Sequence, residues 1–200
     1  MAGLIGVFGG TFDPPHLGHL ILADEARTAL GLDQVLWVVT AQPPHKPGEP
    51  ISPVQVRLEM VSAAIAGNAA FELSRADIDR PGPHYAVDTL RWLSDRMSGA
   101  RWAYLVGEDS LRDLPTWHTP ARFLEACTLL GVMRRPGVEE DLGALERILP
   151  GLAAKVRFFE APLVGVSASD IRRRVKEGLP YRYLVPFQVA EIIEGQKLYR

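Results

Sequence analysis

The chain has 200 residues, 47% of them hydrophobic and 23% charged, and its formal charge is −2. That length and composition fit a folded domain with a core of its own, and the near-balanced charge offers no global field for nucleic acid or an anionic membrane. A single cysteine, Cys127, excludes an internal disulfide or a cysteine-based metal centre, and no apolar run approaches a membrane span.

The amino-terminal "MAGLIGVF" lacks the layout of a signal peptide, so the expected compartment is the cytoplasm. "LIGVF" (Leu4–Phe8) is short and wholly apolar, as a strand covered on both faces would be. A helix should follow from Leu17 to Leu30, with Leu17, Ile21, Leu22, Ala26 and Leu30 on one stripe and Gly31 as its stop. "QVLWVV" (Gln34–Val39) reads as the next strand, and Pro43, Pro44, Pro47 and Pro50 make a loop. Ser52-Pro53 should be the N-cap and first residue of a second helix.

Further on, "AFELS", "RWAYLV", "CTLLGVM" and "KVRFFEA" read as strands, with "AVDTLRWLSDRM" and "LGALERIL" as helices between them. Buried strands alternating with helices predict an α/β fold, a doubly wound and mostly parallel sheet of Rossmann-like form. From about Leu163 the pattern changes: "SASDIRRRVKEG" and "PFQVAEIIEGQKLY" are two helices with no strand between them. The expected organisation is a nucleotide-binding domain over 1–162 and a small helical subdomain over 163–200 that caps the same site.

The chemistry concentrates in "GVFGGTFDPPHLGHL" (Gly6–Leu20), at a strand's carboxyl end, where open α/β sheets bind ligands. Gly9 and Gly10 allow a close backbone approach and the unusual φ that a phosphate would need. His16 and His19, three apart at a helix start, share a face and point toward the helix N-terminus, which favours anions. Zinc would want a third protein ligand, and only Asp13 or Asp24 is close in sequence. A satisfied structural histidine pair is a second bland reading. A dinucleotide fingerprint fails because G-x-G-x-x-G is absent. A phosphate cradle with imidazole donors is the best of the four.

These residues resemble the signature of the nucleotidyltransferase superfamily that carries a His-x-Gly-His motif. Within it the chain is similar to the bacterial nicotinate mononucleotide adenylyltransferases, through "GGTFDPPHLGH", "PPHK" (Pro43–Lys46), "GPHYAVDTL" (Gly82–Leu90), "LVGEDSLRDLPTWH" (Leu105–His118), "RRPG" (Arg134–Gly137) and "VSASDIRRR" (Val166–Arg174). The motifs stand in the family's order along nearly the full length.

The resemblance implies AMP transfer from ATP to nicotinate mononucleotide, giving nicotinate adenine dinucleotide and pyrophosphate in NAD biosynthesis. It implies His16, His19 and Arg172 as catalytic groups on the ATP phosphates. Gly9, Gly10, Thr11 and Phe12 would line the nucleotide cleft, with Lys46, Arg135, Ser167 and Ser169 as further phosphate contacts. Thr11, Lys46, Tyr85, Ala86, Gly107, Asp109 and Trp117 would hold the mononucleotide, the indole of Trp117 stacking on its pyridine ring. Mg²⁺ is expected on the ATP phosphates, with few or no direct protein ligands. No nucleic-acid or membrane partner is expected, and a homo-oligomer is left open.

Members of the family usually carry Thr where this chain has Ala86, and usually Ser-Ser-Thr where it has Ser167-Ala168-Ser169. Ala86 costs little if backbone N–H groups hold the nicotinate carboxylate. Phosphopantetheine or nicotinamide mononucleotide as acceptor, and a non-catalytic nucleotide sensor, are the alternatives. The "PPHK" loop and Trp117 argue against phosphopantetheine, and the retention of His16, His19 and Arg172 argues against a sensor.

Overall fold

Six strands form one sheet: β1 (Leu4–Gly10), β2 (Gln34–Val39), β3 (Phe71–Ser74), β4 (Arg101–Gly107), β5 (Leu129–Met133) and β6 (Val156–Phe159). Their order is β3-β2-β1-β4-β5-β6 and every adjacent pair is parallel. The computed structural model that shows this describes residues 3–42, 51–134 and 140–200. The Pro43–Pro50 loop with Lys46, and Arg135, lie outside the described residues.

Parallel pairing follows from the sequence. Val35 to Val39 are all buried, so both faces of β2 need covering, and parallel neighbours must be joined by crossover helices that supply the cover. Helices α1 (Leu17–Ala29) and α2 (Val54–Ile65) pack one face, against Phe8, Phe12, Trp37 and Leu105. Helices α3 (Ala86–Arg96), α4 (Glu108–Asp113), α5 (Pro120–Ala126), α6 (Leu142–Ile148) and α7 (Leu152–Lys155) cover the other, against Val7, Tyr104 and Val132. Each fully buried aliphatic side chain contributes about 1.5–3 kcal/mol, so these two layers carry most of the stability.

The winding reverses between β1 and β4, which pair in the register Gly6↔Ala103 and Val7↔Tyr104. A crevice opens at such a switch point, beyond the strands' carboxyl ends. Helices α8 (Ala168–Lys176) and α9 (Phe187–Gly195) build a third apolar cluster, in which Ile171, Val185, Val189 and Ile193 close on Met60 of α2. The carboxyl-terminal helices therefore sit beside α2, on the same side of the sheet as α1.

Several boundaries differ from the sequence reading. Helix α1 stops at Ala29, with Leu30 as its cap and Gly31 at φ +63° reversing the chain. Ser52 is not a cap. Pro53 holds that position, because the Ser52 N–H donates to Asp13 Oδ2 (3.1 Å) and its carbonyl accepts from Arg57 Nε (3.0 Å). Cys127 ends α5 rather than starting a strand, and burial pushes its thiol up to about 12, as suits an inert core residue. Helix α9 ends at Gly195, and positive φ at Lys197 and Tyr199 turns the following chain back on itself.

Candidate active site

Strand β1 delivers Gly9 and Gly10 to the switch point, but neither takes the left-handed φ expected for a phosphate turn. Phe12 does, at φ +49°. That conformation folds the Phe12 ring back over Gly10, where an added Cβ would stand 2.8 Å from the ring. An added Cβ on Gly9 would stand 2.7 Å from the Tyr104 hydroxyl. Both glycines are thus required by the protein's own aromatic residues.

His16 caps α1 with extended backbone, and its N–H donates to Nδ1 of His19 (3.1 Å). An acceptor Nδ1 carries no proton, so the His19 proton sits on Nε2, which is left to donate. The two rings stack with centroids 3.6 Å apart, and His19 leans on Phe12 (5.1 Å) and Phe8 (5.9 Å). Burial lowers the pKa of His16 to about 4, while burial and the adjacent His16 hold His19 well below the ordinary imidazole value. Both are neutral donors at pH 7. His16 is buried, and its Nδ1 has no protein partner. Gly18 makes room for this cap: an added Cβ would meet His16 Nδ1 and Val166 Cγ1, each at 3.2 Å.

That contact brings the segment before α8 onto the histidine turn. Ser167 caps α8, its Oγ accepting from the Asp170 N–H (3.2 Å) and lying 3.1 Å from Ser169 Oγ. One turn on, Arg172 donates through Nη1 to the Asp13 carbonyl (2.7 Å). Arg173 and Arg174 instead pair with Asp170 on the solvent side.

Asp13, which the sequence suggests only as a possible zinc ligand, is a junction. Its buried carboxylate accepts from the Ser52 N–H and, at 2.6 Å, from the Tyr199 hydroxyl, so a zinc ion would find both oxygens already engaged. Arg57, 1% exposed, faces Asp13 and donates to the carbonyls of Thr11 (2.9 Å), Thr40 (2.8 Å), Ala41 (3.0 Å) and Ser52 (3.0 Å). Burying a guanidinium is costly, and four carbonyl acceptors with a facing carboxylate offset that cost. Arg57 looked like one polar residue of an amphipathic helix, and nothing in its spacing marks it.

A cleft of about 370 Å³ opens on the α3 side of the switch point. Gly9, Gly10 and Thr11 form one wall, Tyr85, Ala86 and Gly107 another, and Trp117 with His118 the rim. Phe12 is buried beneath the turn, and Asp109 lies in the first turn of α4 next to the lining Ser110. Trp117 packs edge-on against Tyr104 (6.0 Å) and Phe123 (5.2 Å), while His118 stacks on Tyr85 (4.1 Å). Arg80 fixes the Tyr85 segment by donating to the carbonyls of Pro83 (3.2 Å) and Tyr85 (3.3 Å) and pairing with the buried Asp77 (2.9 Å). The histidine–Arg172 group lies outside this cleft, across Phe8. Among the described residues, those predicted thus fall into two neighbouring groups on either side of Gly9–Thr11, at the end of β1.

A parallel sheet with a glycine turn and a histidine-capped helix at its switch point defines a nucleotidyltransferase fold, and the cytidylyltransferase-like family profile matches residues 7–174. Among relatives, a nicotinate-nucleotide adenylyltransferase of Thermomicrobium roseum is 49% identical over 98% of this chain and 91% of its own length, and one of Thermus thermophilus is 44% identical over 98% and 99%. The chain belongs to the nicotinate-nucleotide adenylyltransferases of the cytidylyltransferase-like family. The fold is shared with the Plasmodium falciparum nicotinic acid mononucleotide adenylyltransferase solved with NaAD, at TM-score 0.79 and 15% identity over 98% of this chain and 97% of that one. Among the described residues, no helix is long and apolar enough to cross a membrane.

Proposed function

We propose that this chain transfers AMP from ATP to nicotinate mononucleotide, releasing pyrophosphate and forming nicotinate adenine dinucleotide, in the cytoplasm as a step of NAD biosynthesis. The observation that carries the reading is the juxtaposition of two subsites on one turn. The Arg172–Asp13 contact draws α8 onto the histidine pair, while the apolar cleft opens from the same Gly9–Thr11 backbone. The relatives' shared name and the neighbour solved with NaAD support the same substrates.

The acceptor's phosphate oxygen is already anionic at neutral pH, so no general base is needed. What the site must do is align two anions and stabilise charge building on pyrophosphate. In this reading His16 and His19 donate neutral N–H groups to the ATP phosphates, Nε2 of His19 being the fixed donor. Arg172 supplies positive charge, Ser167 and Ser169 supply hydroxyls, and Lys46 and Arg135 reach in from their loops. Residues 163–200 thereby complete a site carried by 1–162.

On the acceptor side, Trp117 stacks on the pyridine ring and Asp109 holds a ribose hydroxyl. Ala86 opens α3, so the free N–H groups of that turn meet the nicotinate carboxylate without a side-chain hydroxyl. Because both imidazoles are neutral, a magnesium ion carried by the phosphates that His16, His19 and Arg172 hold fits the donor set, and when bound it offsets charge on the leaving group.

Incubation with ATP, Mg²⁺ and each candidate acceptor, followed by assay of pyrophosphate, tests the reading. Nicotinate mononucleotide should give the highest kcat/KM. Faster turnover of nicotinamide mononucleotide or phosphopantetheine would reassign the acceptor, and no release with any of them would leave a nucleotide sensor.

A further inference from the structure

We propose that the Tyr104 hydroxyl is a substrate-binding donor, hydrogen-bonding an oxygen of the acceptor mononucleotide seated against Trp117. The inference rests on the reaction proposed above.

Tyr104 stands on β4 opposite Val7 of β1, and its side chain lines the cleft where those strands part. It is 8% exposed, and its ring is held edge-on by Phe123 (5.0 Å, 87°) and Trp117 (6.0 Å, 77°). The hydroxyl lies against Gly9, which can have no Cβ because of it. Among the described residues, no protein group hydrogen-bonds this hydroxyl. Burial, then the neighbouring Asp77 and Cys127, raises its pKa far above neutrality, so it stays a phenol and a donor.

A phenylalanine would fill the same ring volume with nothing polar to desolvate. The hydroxyl opens into the cleft, where water serves it in the free protein and a bound acceptor takes that water's place. The acceptor belongs to the mononucleotide rather than to ATP. Tyr104 shares its face of the sheet with Tyr85, Ala86 and Trp117, whereas His19 packs across Phe8 and Phe12 in the opposite layer. A mononucleotide offers the matching chemistry as ribose hydroxyls and phosphate oxygens.

The test is Tyr104→Phe. KM and calorimetric Kd for nicotinate mononucleotide should rise about 3- to 10-fold, the range for one hydrogen bond, with kcat and the KM for ATP within twofold of wild type. Melting temperature should hold or increase, because no protein partner is lost. An unchanged mononucleotide Kd overturns the proposal. So does a fall in melting temperature with both KM values moving together, which marks a structural hydroxyl. Wild-type protein that binds the mononucleotide yet releases no pyrophosphate overturns the reaction alone, and the variant's Kd still decides the hydroxyl. Wild-type protein that does not bind it overturns both.

Discussion

The hydroxyl of Tyr199 donates to Oδ1 of Asp13 at 2.6 Å, joining residues 186 apart in the chain. Asp13 also takes the Ser52 N–H through its side chain and Arg172 through its carbonyl. The turn leading to the histidines is thus tied to α8, to the start of α2 and to the segment after α9. Tyr199→Phe leaves one oxygen of a buried carboxylate without its donor, and should cost about 1–3 kcal/mol in urea denaturation. An unchanged midpoint would show that the junction does not depend on this hydroxyl.

Arg57 is the larger liability. Arg57→Met keeps the volume but strips donors from four carbonyls and leaves Asp13 without its facing guanidinium. The expected loss is about 3–5 kcal/mol, as for removal of one partner of a buried pair. A loss under about 1 kcal/mol by chemical denaturation would mean that water replaces the guanidinium.

These two residues also mark where the sequence stopped being informative. Alternation of apolar runs and helical stripes located all six strands and six helices, α1, α2, α3, α6, α8 and α9, because burial on both faces of a parallel strand leaves a continuous apolar run. Helices α4, α5 and α7, of 6, 7 and 4 residues, make two turns or fewer, and the 7-residue α6 was legible because Leu142, Leu145 and Ile148 recur at helical spacing. The site residues carried by motifs could be named; the partners that hold them could not. Arg57, Tyr104 and Tyr199 act through contacts made only after folding, across long stretches of chain, and local spacing contains no trace of such contacts. At Gly9 and Gly10 the unusual φ expected from the sequence is absent, and the crowding by Tyr104 and Phe12 is a further demand for glycine that the sequence does not show.

Neutrality of the histidine pair makes stability depend on pH. Each folded imidazole has a lowered pKa, so below the unfolded value near 6.5 the unfolded chain binds protons that the folded chain refuses. The contribution is fully present above that pH and is lost as pH falls toward about 4, where His16 titrates in the folded state. Between pH 7 and 4.5 the wild type should lose about 3–5 kcal/mol more than His16→Gln/His19→Gln. Parallel declines in the two proteins would show that the imidazoles already accept protons when folded.

His19→Ala removes the imidazole of the pair whose tautomer is set by the His16 N–H. Turnover should fall on the order of 100-fold with the far-ultraviolet spectrum unchanged, as for loss of a single transition-state donor. Turnover within a few-fold of wild type would take His19 out of the mechanism and leave the charge on pyrophosphate to Arg172.

Trp117→Ala separates substrate stacking from packing. The indole is only partly buried and lines the cleft, with the rings of Tyr104 and Phe123 set steeply against it. A base–aromatic stack is worth about 1–3 kcal/mol, which corresponds to a KM for the mononucleotide raised roughly 5- to 150-fold while that for ATP stays near wild type. Equal increases in both would mean that the ring serves the core.

Gly9→Ala tests the crowding at the switch point directly. Its new Cβ would meet the Tyr104 hydroxyl at 2.7 Å, but the ring carbon Cζ only at 3.6 Å, an ordinary contact. The single variant should lose about 1–3 kcal/mol of stability, as overpacking does, and mononucleotide affinity with it. Adding Tyr104→Phe removes the one clashing atom, so the double variant should regain most of the stability although not the affinity. A cycle in which the two changes simply add would show that the strand moves to accept the methyl group, and that Gly9 is not held to glycine by the tyrosine.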